Sequence, residues 1–181
     1  MPKGKLTLAG LLAGLAFILP SAPLYAGDPP RFEDFAVPLY DGTVHPPKWI
    51  QHQERWWTDE LGKMVEAPVI NFAGKYFIAA HSCGTGCRYY TMTDLSTGRE
   101  SRLLDGFATA EPAPKTRDGR DYLTILYSRS GSRMLIAQYH VDFAKEKEEC
   151  RERVFLLEKN RLKPITGTRR GCRELESQPG L

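Results

Sequence analysis

Four cysteines, at positions 83, 87, 150 and 172, limit what this chain can fold into more than any other feature of its 181 residues. An even number of cysteines means paired sulfurs in an oxidising compartment, and metal ligands or catalysts in a reducing one. The compartment therefore has to be settled first, and the N-terminus supplies it. Lys3 and Lys5 form a basic start, Leu6 to Leu19 is an almost uninterrupted apolar run of 14 residues, and Pro20 to Ala26 holds small and turn-forming residues. That order is the layout of a secretory signal. A bilayer span needs about 20 apolar residues, so the run is too short for an anchor. Residues 1–26 are read as a signal peptide cleaved after Ala26. A periplasmic or secreted location, disulfide bonding and no stable membrane span after processing follow as expectations.

Four cysteines allow three pairings. Cys83 with Cys87 and Cys150 with Cys172 is favoured, because each pair is close in sequence and each segment folds back on itself. The long-range pairings, which would tie the two halves together, stay open at this level. Removing 26 of 181 residues leaves 155, enough for one domain with a real core. Two of the 25 basic residues leave with the signal, so 23 face 22 acidic ones. Such a balance gives no electrostatic case for nucleic-acid binding.

Past the signal, residues 27–60 read as an extended arm. Pro29, Pro30, Pro38, Pro46 and Pro47 interrupt it, and Phe32, Phe35 and Tyr40 serve as anchors. A short helix is expected over Trp49 to Leu61, since Ile50, Trp57 and Leu61 recur at spacings of seven and four. Residues 61–176 read as a β-rich, disulfide-bonded domain, with 177–181 as a flexible tail. Within it, Tyr76–Ala80 and Tyr89–Thr93 are strand-forming runs around Cys83-Gly84-Thr85-Gly86-Cys87, whose glycines suit a hairpin loop. Asp94 to Gly98 supplies a turn, and Arg99 to Leu104 reads as another strand. Tyr122–Tyr127 and Met134–Val141 form a second hairpin across Ser128–Ser132. Arg153–Glu158 and Leu162–Ile165 form a third around Asn160. The fold class is mainly β, an antiparallel sandwich or meander of short hairpins, since no βαβ alternation is visible.

One constellation could carry chemistry: His81, Cys83 and Cys87. It reads first as a structural disulfide. Two thiolates and an imidazole would also suit copper or zinc, with His52 or His140 as a conceivable fourth ligand. A thiol-redox role would need a cysteine activated by a cation such as Arg88, but there is no CxxC in a βαβ setting. Metalloprotease, hydrolase, nucleotide and EF-hand signatures are absent, so no enzyme activity and no cofactor are expected. Gly86-Cys87-Arg88 has some likeness to the active-site cysteine segment of L,D-transpeptidases, but Gly84-Thr85-Gly86 replaces that family's Ser-His-Gly.

Asn71-Phe72-Ala-Gly74-Lys-Tyr76, the Cys83–Cys87 loop and Asp94-Leu-Ser-Thr97-Gly98 together resemble a group of uncharacterised exported proteobacterial proteins. Those share an N-F-x-G-x-Y, C-G-x-x-C, D-x-x-T-G pattern. More loosely, the order of strand, cysteine loop, strand and turn is similar to that of periplasmic lysozyme inhibitors. These are β-sheet proteins that plug an enzyme cleft with a loop, and the likeness implies an inhibitor-like role. The expectation is a non-enzymatic, exported β scaffold that presents loops to a protein partner in the cell envelope. Trp56, Trp57, Arg117 and Asp118 are the candidate contact residues. A metal-binding or thiol-redox protein built on His81, Cys83 and Cys87 is the alternative.

Overall fold

The computed structural model describes Met1 and residues 28–175 apart from 111, 113 and 144. The rest of the leader, its cleavage position and the expected tail at 177–181 lie outside them. Among the described residues there are eleven strands, the longer of which carry runs of aromatic and aliphatic residues between turn signals. These are β1 (Gln51–Gln53), β2 (Trp56–Thr58), β3 (Met64–Val65), β4 (Tyr76–Gly84), β5 (Cys87–Asp94) and β6 (Arg99–Ser101). The remainder are β7 (Tyr122–Tyr127), β8 (Met134–Val141), β9 (Glu149–Glu158), β10 (Arg161–Pro164) and β11 (Arg169–Arg170). They pair as three antiparallel sheets: β1-β2-β3, β4-β5-β6, and β10-β9-β8-β7 with β11 also on β9. The mainly β expectation holds.

The helix expected over Trp49 to Leu61 is not formed. That stretch makes β1 and β2, paired Gln51 to Thr58 and Gln53 to Trp56. A two-residue turn, Glu54-Arg55, joins them, and Glu54 takes a positive φ of 48° without a glycine or asparagine to announce it. Strand formation therefore begins inside the segment read as an arm. Two other boundaries shift. β6 stops at Ser101 instead of reaching Leu104, and β9 begins at Glu149, so Cys150 lies within a strand and not ahead of it.

The main core lies between two sheets. Ile78, Tyr90 and Met92 from the β4-β5 side meet Leu126, Leu135, Ala137, Phe155 and Leu157 from the larger sheet, with Phe72, Leu104 and Phe107 closing the edges. Fully burying each such side chain is worth about 1.5–3 kcal/mol. β8 does not alternate: Met134 and Ile136 on its other face are also buried, against Phe32 and Val154. The arm is therefore a lid on the back of the larger sheet, which explains the continuous apolar Met134-Leu135-Ile136-Ala137. Backbone hydrogen bonds Val37 N–H to Gly131 O (2.8 Å) and Tyr40 N–H to Gly74 O (2.7 Å) hold it. Gly74 has a φ of +79°, and a Cβ there would sit 2.3 Å from the Pro38 carbonyl oxygen. Only glycine fits where the arm passes.

Both disulfides are local. Cys83 bonds Cys87 across the β4–β5 turn, and Cys150 bonds Cys172 where β11 returns to β9. The Gly171 N–H donates to the Cys150 carbonyl at 2.8 Å beside the second bridge. Among the described residues no helix is long and apolar enough to cross a membrane.

Candidate functional site

Asp59 follows β2 and opens a tight turn. Its Oδ1 accepts the backbone N–H groups of Leu61 and Lys63, both at 2.9 Å, so the carboxylate organises the turn that leads into β3. Its Oδ2 lies 3.1 Å from Nδ1 of His81, and Nε2 of His81 lies 2.9 Å from the Thr91 hydroxyl. Burial pushes Asp59 up, but the N–H of Lys63, the His81 imidazole and the N–H of Leu61 outweigh it and hold the carboxyl below the usual range. A carboxylate only accepts, so Nδ1 carries the hydrogen. Nε2 faces the Thr91 hydroxyl, a group that can both donate and accept. The imidazole is sandwiched: Tyr89 stacks on it at 4.5 Å and 8°, and Trp49 meets it edge-on at 4.9 Å.

Hydroxyl, imidazole and carboxylate stand here in the order used by nucleophilic hydrolases. Their surroundings favour a different use. Asp59 and His81 are only 4% and 3% exposed, and the ring is covered by aromatic side chains. The network fastens the small sheet to the face of β4 and β5. Asp59→Ala is expected to cost about 2–3 kcal/mol, because it strands the His81 N–H and two backbone donors. Its depressed acidity fixes the pH dependence. The stabilisation is full above the ordinary value of 3.8 and fades as pH falls through the lower folded-state value. Urea midpoints measured between pH 5 and pH 2 should fall with acid in the wild type, and Asp59→Asn should flatten that limb.

Two hollows flank the network and share His81. One, of about 310 Å³, has Tyr89, Thr91 and Glu100 as its floor and Trp49, Glu60 and Leu61 on its sides. The other, about 540 Å³, runs between Trp56, Met64 and Glu66 on one side and Ala80, Ser82 and Arg88 on the other. Around them Trp56, Leu61 and Met64 are 49%, 68% and 76% exposed. Burial pushes the Glu66 carboxyl up, and among the described residues Glu66 has no ion pair.

The sequence candidates meet this geometry unevenly. Trp56 lines the second hollow, whereas Trp57 points to the opposite face of β2, half-buried and packed on His52 at 4.4 Å with the rings tilted by 34°. Arg117 and Asp118 lie on the exposed loop before β7 and line neither hollow. Asp118 is lowered to about 2, chiefly by the Thr116 hydroxyl, with Arg120 adding an ion pair at 2.8 Å. His81 is not joined to Cys83 and Cys87 in a ligand set. The sulfurs are bonded to each other and both ring nitrogens are engaged. His140 sits at the other bridge, bonded to Glu148 and 3.9 Å from Cys150 Sγ. No group of three or more metal-ligating side chains occurs among the described residues. Asp59, Thr91, Trp49, Tyr89 and Glu100 were not singled out from sequence. Only Asp59 carried a trace, an Asp three residues before Gly62, which is a turn pattern.

What fold and site define is a class: a small β sandwich with an appended three-stranded sheet and a hollow on either side of the Asp59–His81 network. No family model, curated protein or solved structure matches the chain.

Proposed function

We propose that this is an exported, non-enzymatic protein of the periplasm or cell exterior that binds a protein partner through the face carrying Trp56, Leu61 and Met64. The observation that carries this is the exposure of those three large apolar side chains, 49%, 68% and 76%, on the small sheet and its β2–β3 turn, beside two hollows. Tryptophan and methionine are enriched at protein interfaces, and an apolar cluster rimmed by charge is a common mark of one. Two disulfides fit an oxidising compartment. The leader and the likeness to exported β proteins, lysozyme inhibitors among them, agree with the same reading.

A photo-crosslinker at position 64, in cells that make the protein naturally, tests it. One defined partner should be trapped, should rebind the purified protein, and should be lost with Trp56→Ala, while the same crosslinker at Asn160 traps nothing. Equal trapping at both positions, or none at 64, would overturn the proposal.

A further inference from the structure

The hollow over β4, β5 and β6 has a composition that selects its occupant. His81 and Tyr89 are directly paired across β4 and β5, and Thr93 is paired with Glu100 across β5 and β6. Paired residues point to one face, and so do alternate residues along a strand. Tyr89, Thr91 and Glu100 therefore form a fixed floor, with no loop needed to place them. Trp49 and the Asp59–Leu61 turn form the sides. Three carboxylates, Asp59, Glu60 and Glu100, share this space with one ammonium group, Lys48. Asp59 is satisfied by its turn and by His81, whereas Glu60 and Glu100 are exposed and have no ion pair among the described residues. The field registers at Tyr89, whose hydroxyl is pushed up first by burial and then by Asp59 and Glu60.

We infer that this hollow is the anchor pocket for a basic side chain of the protein partner, a guanidinium or alkylammonium group held in the space that Trp49, Tyr89 and the Glu60 and Glu100 carboxylates line. Aromatic faces attract cations as well as apolar surface does, and carboxylates at the mouth add charge-assisted hydrogen bonds. The source is a protein side chain and not a free amine because apolar surface continues outward from the mouth at Leu61, 68% exposed, which a small cation would leave uncovered. The inference rests on the protein-binding reading and adds the chemistry of its central contact, as interface anchors are typically one or two side chains in a pocket.

The test uses the oxidised protein and four capped probes, followed by NMR. N-acetyl-arginine amide should shift the His81, Tyr89 and Thr91 resonances, and its neutral citrulline isostere should bind about ten-fold more weakly. Acetyl-Leu-Arg-Leu amide should bind several-fold tighter than acetyl-Gly-Arg-Gly amide. The Glu60→Gln/Glu100→Gln variant, both positions exposed, should keep its melting temperature and lose about ten-fold in affinity for the arginine probes. Equal binding of arginine and citrulline, shifts confined to another face, or no shifts at all would overturn the pocket. Tighter binding of the glycine-flanked probe would overturn the protein source. If the partner trapped at position 64 still binds the double variant unchanged, the pocket falls and the protein-binding reading stands. If nothing is trapped at position 64, that reading falls by itself.

Discussion

Glu152→Ala is expected to cost about 3 kcal/mol and to loosen both ends of the chain at once. Glu152 is only 1% exposed in the middle of β9. Its carboxylate takes the Arg173 Nε and N–H at 2.9 and 3.0 Å, the Arg169 guanidinium at 2.9 Å and the Gln138 amide at 3.2 Å. Arg173 in turn donates to the Pro30 carbonyl at 2.6 Å, so one carboxylate links β8, β9, the C-terminal return and the arm. Removing one member of a buried ionic cluster leaves the others desolvated without compensation, which costs about 3–5 kcal/mol. The lower end applies here because the Arg169 side chain is 43% exposed and can rehydrate. Urea unfolding should show a lower midpoint at nearly constant slope. Glu152→Gln, which still accepts from the Arg173 N–H, should fall between the two. A midpoint within about 0.5 kcal/mol of wild type for Glu152→Ala would contradict the role given to this node.

Cys150→Ser/Cys172→Ser should cost about 3 kcal/mol and roughly 10 °C in Tm, while Cys83→Ser/Cys87→Ser costs less. The ground is loop length. The Cys150–Cys172 bridge closes a separation of 22 residues and the Cys83–Cys87 bridge one of 4, so the former removes more freedom from the unfolded chain. The damage should also be local. β11 pairs with β9 through only Arg169 to Glu152 and Arg170 to Arg151, and those pairs depend on the return that the bridge holds. Hydrogen exchange in the oxidised double variant should quicken at β11 and at the Arg173 amide before it changes in β4 and β5. A larger loss from the Cys83/Cys87 variant would contradict the ranking.

The hairpins were legible because their turns carry their own chemistry. Lys159 and Asn160 both take positive φ, and Asn160 announces it; Gly98 at φ +70° closes the turn that Asp94 caps. The β1–β2 turn carries no such residue, and a chance spacing of Ile50, Trp57 and Leu61 imitated a helix where two tryptophans favour strands. The buried cluster was hidden for another reason. Glu152 stands between Arg151 and Arg153 and reads as solvated charge. Its partners Arg169 and Arg173 lie about 20 residues further along the chain, on either side of the Cys172 that bonds Cys150. His81 was noticed through its cysteine neighbours. Its actual partners, Asp59 and Thr91, come from 22 residues upstream and from the facing strand, and that distance only the register of folding can bridge.

The proposed binding role rests on an oxidised, exported protein, and intact mass reads that condition directly. Protein isolated from its native cells and treated with a thiol alkylator without reductant should begin at Gly27 and take up no alkyl group. A chain that keeps Met1 and gains four alkyl groups would contradict both the export and the disulfide lock.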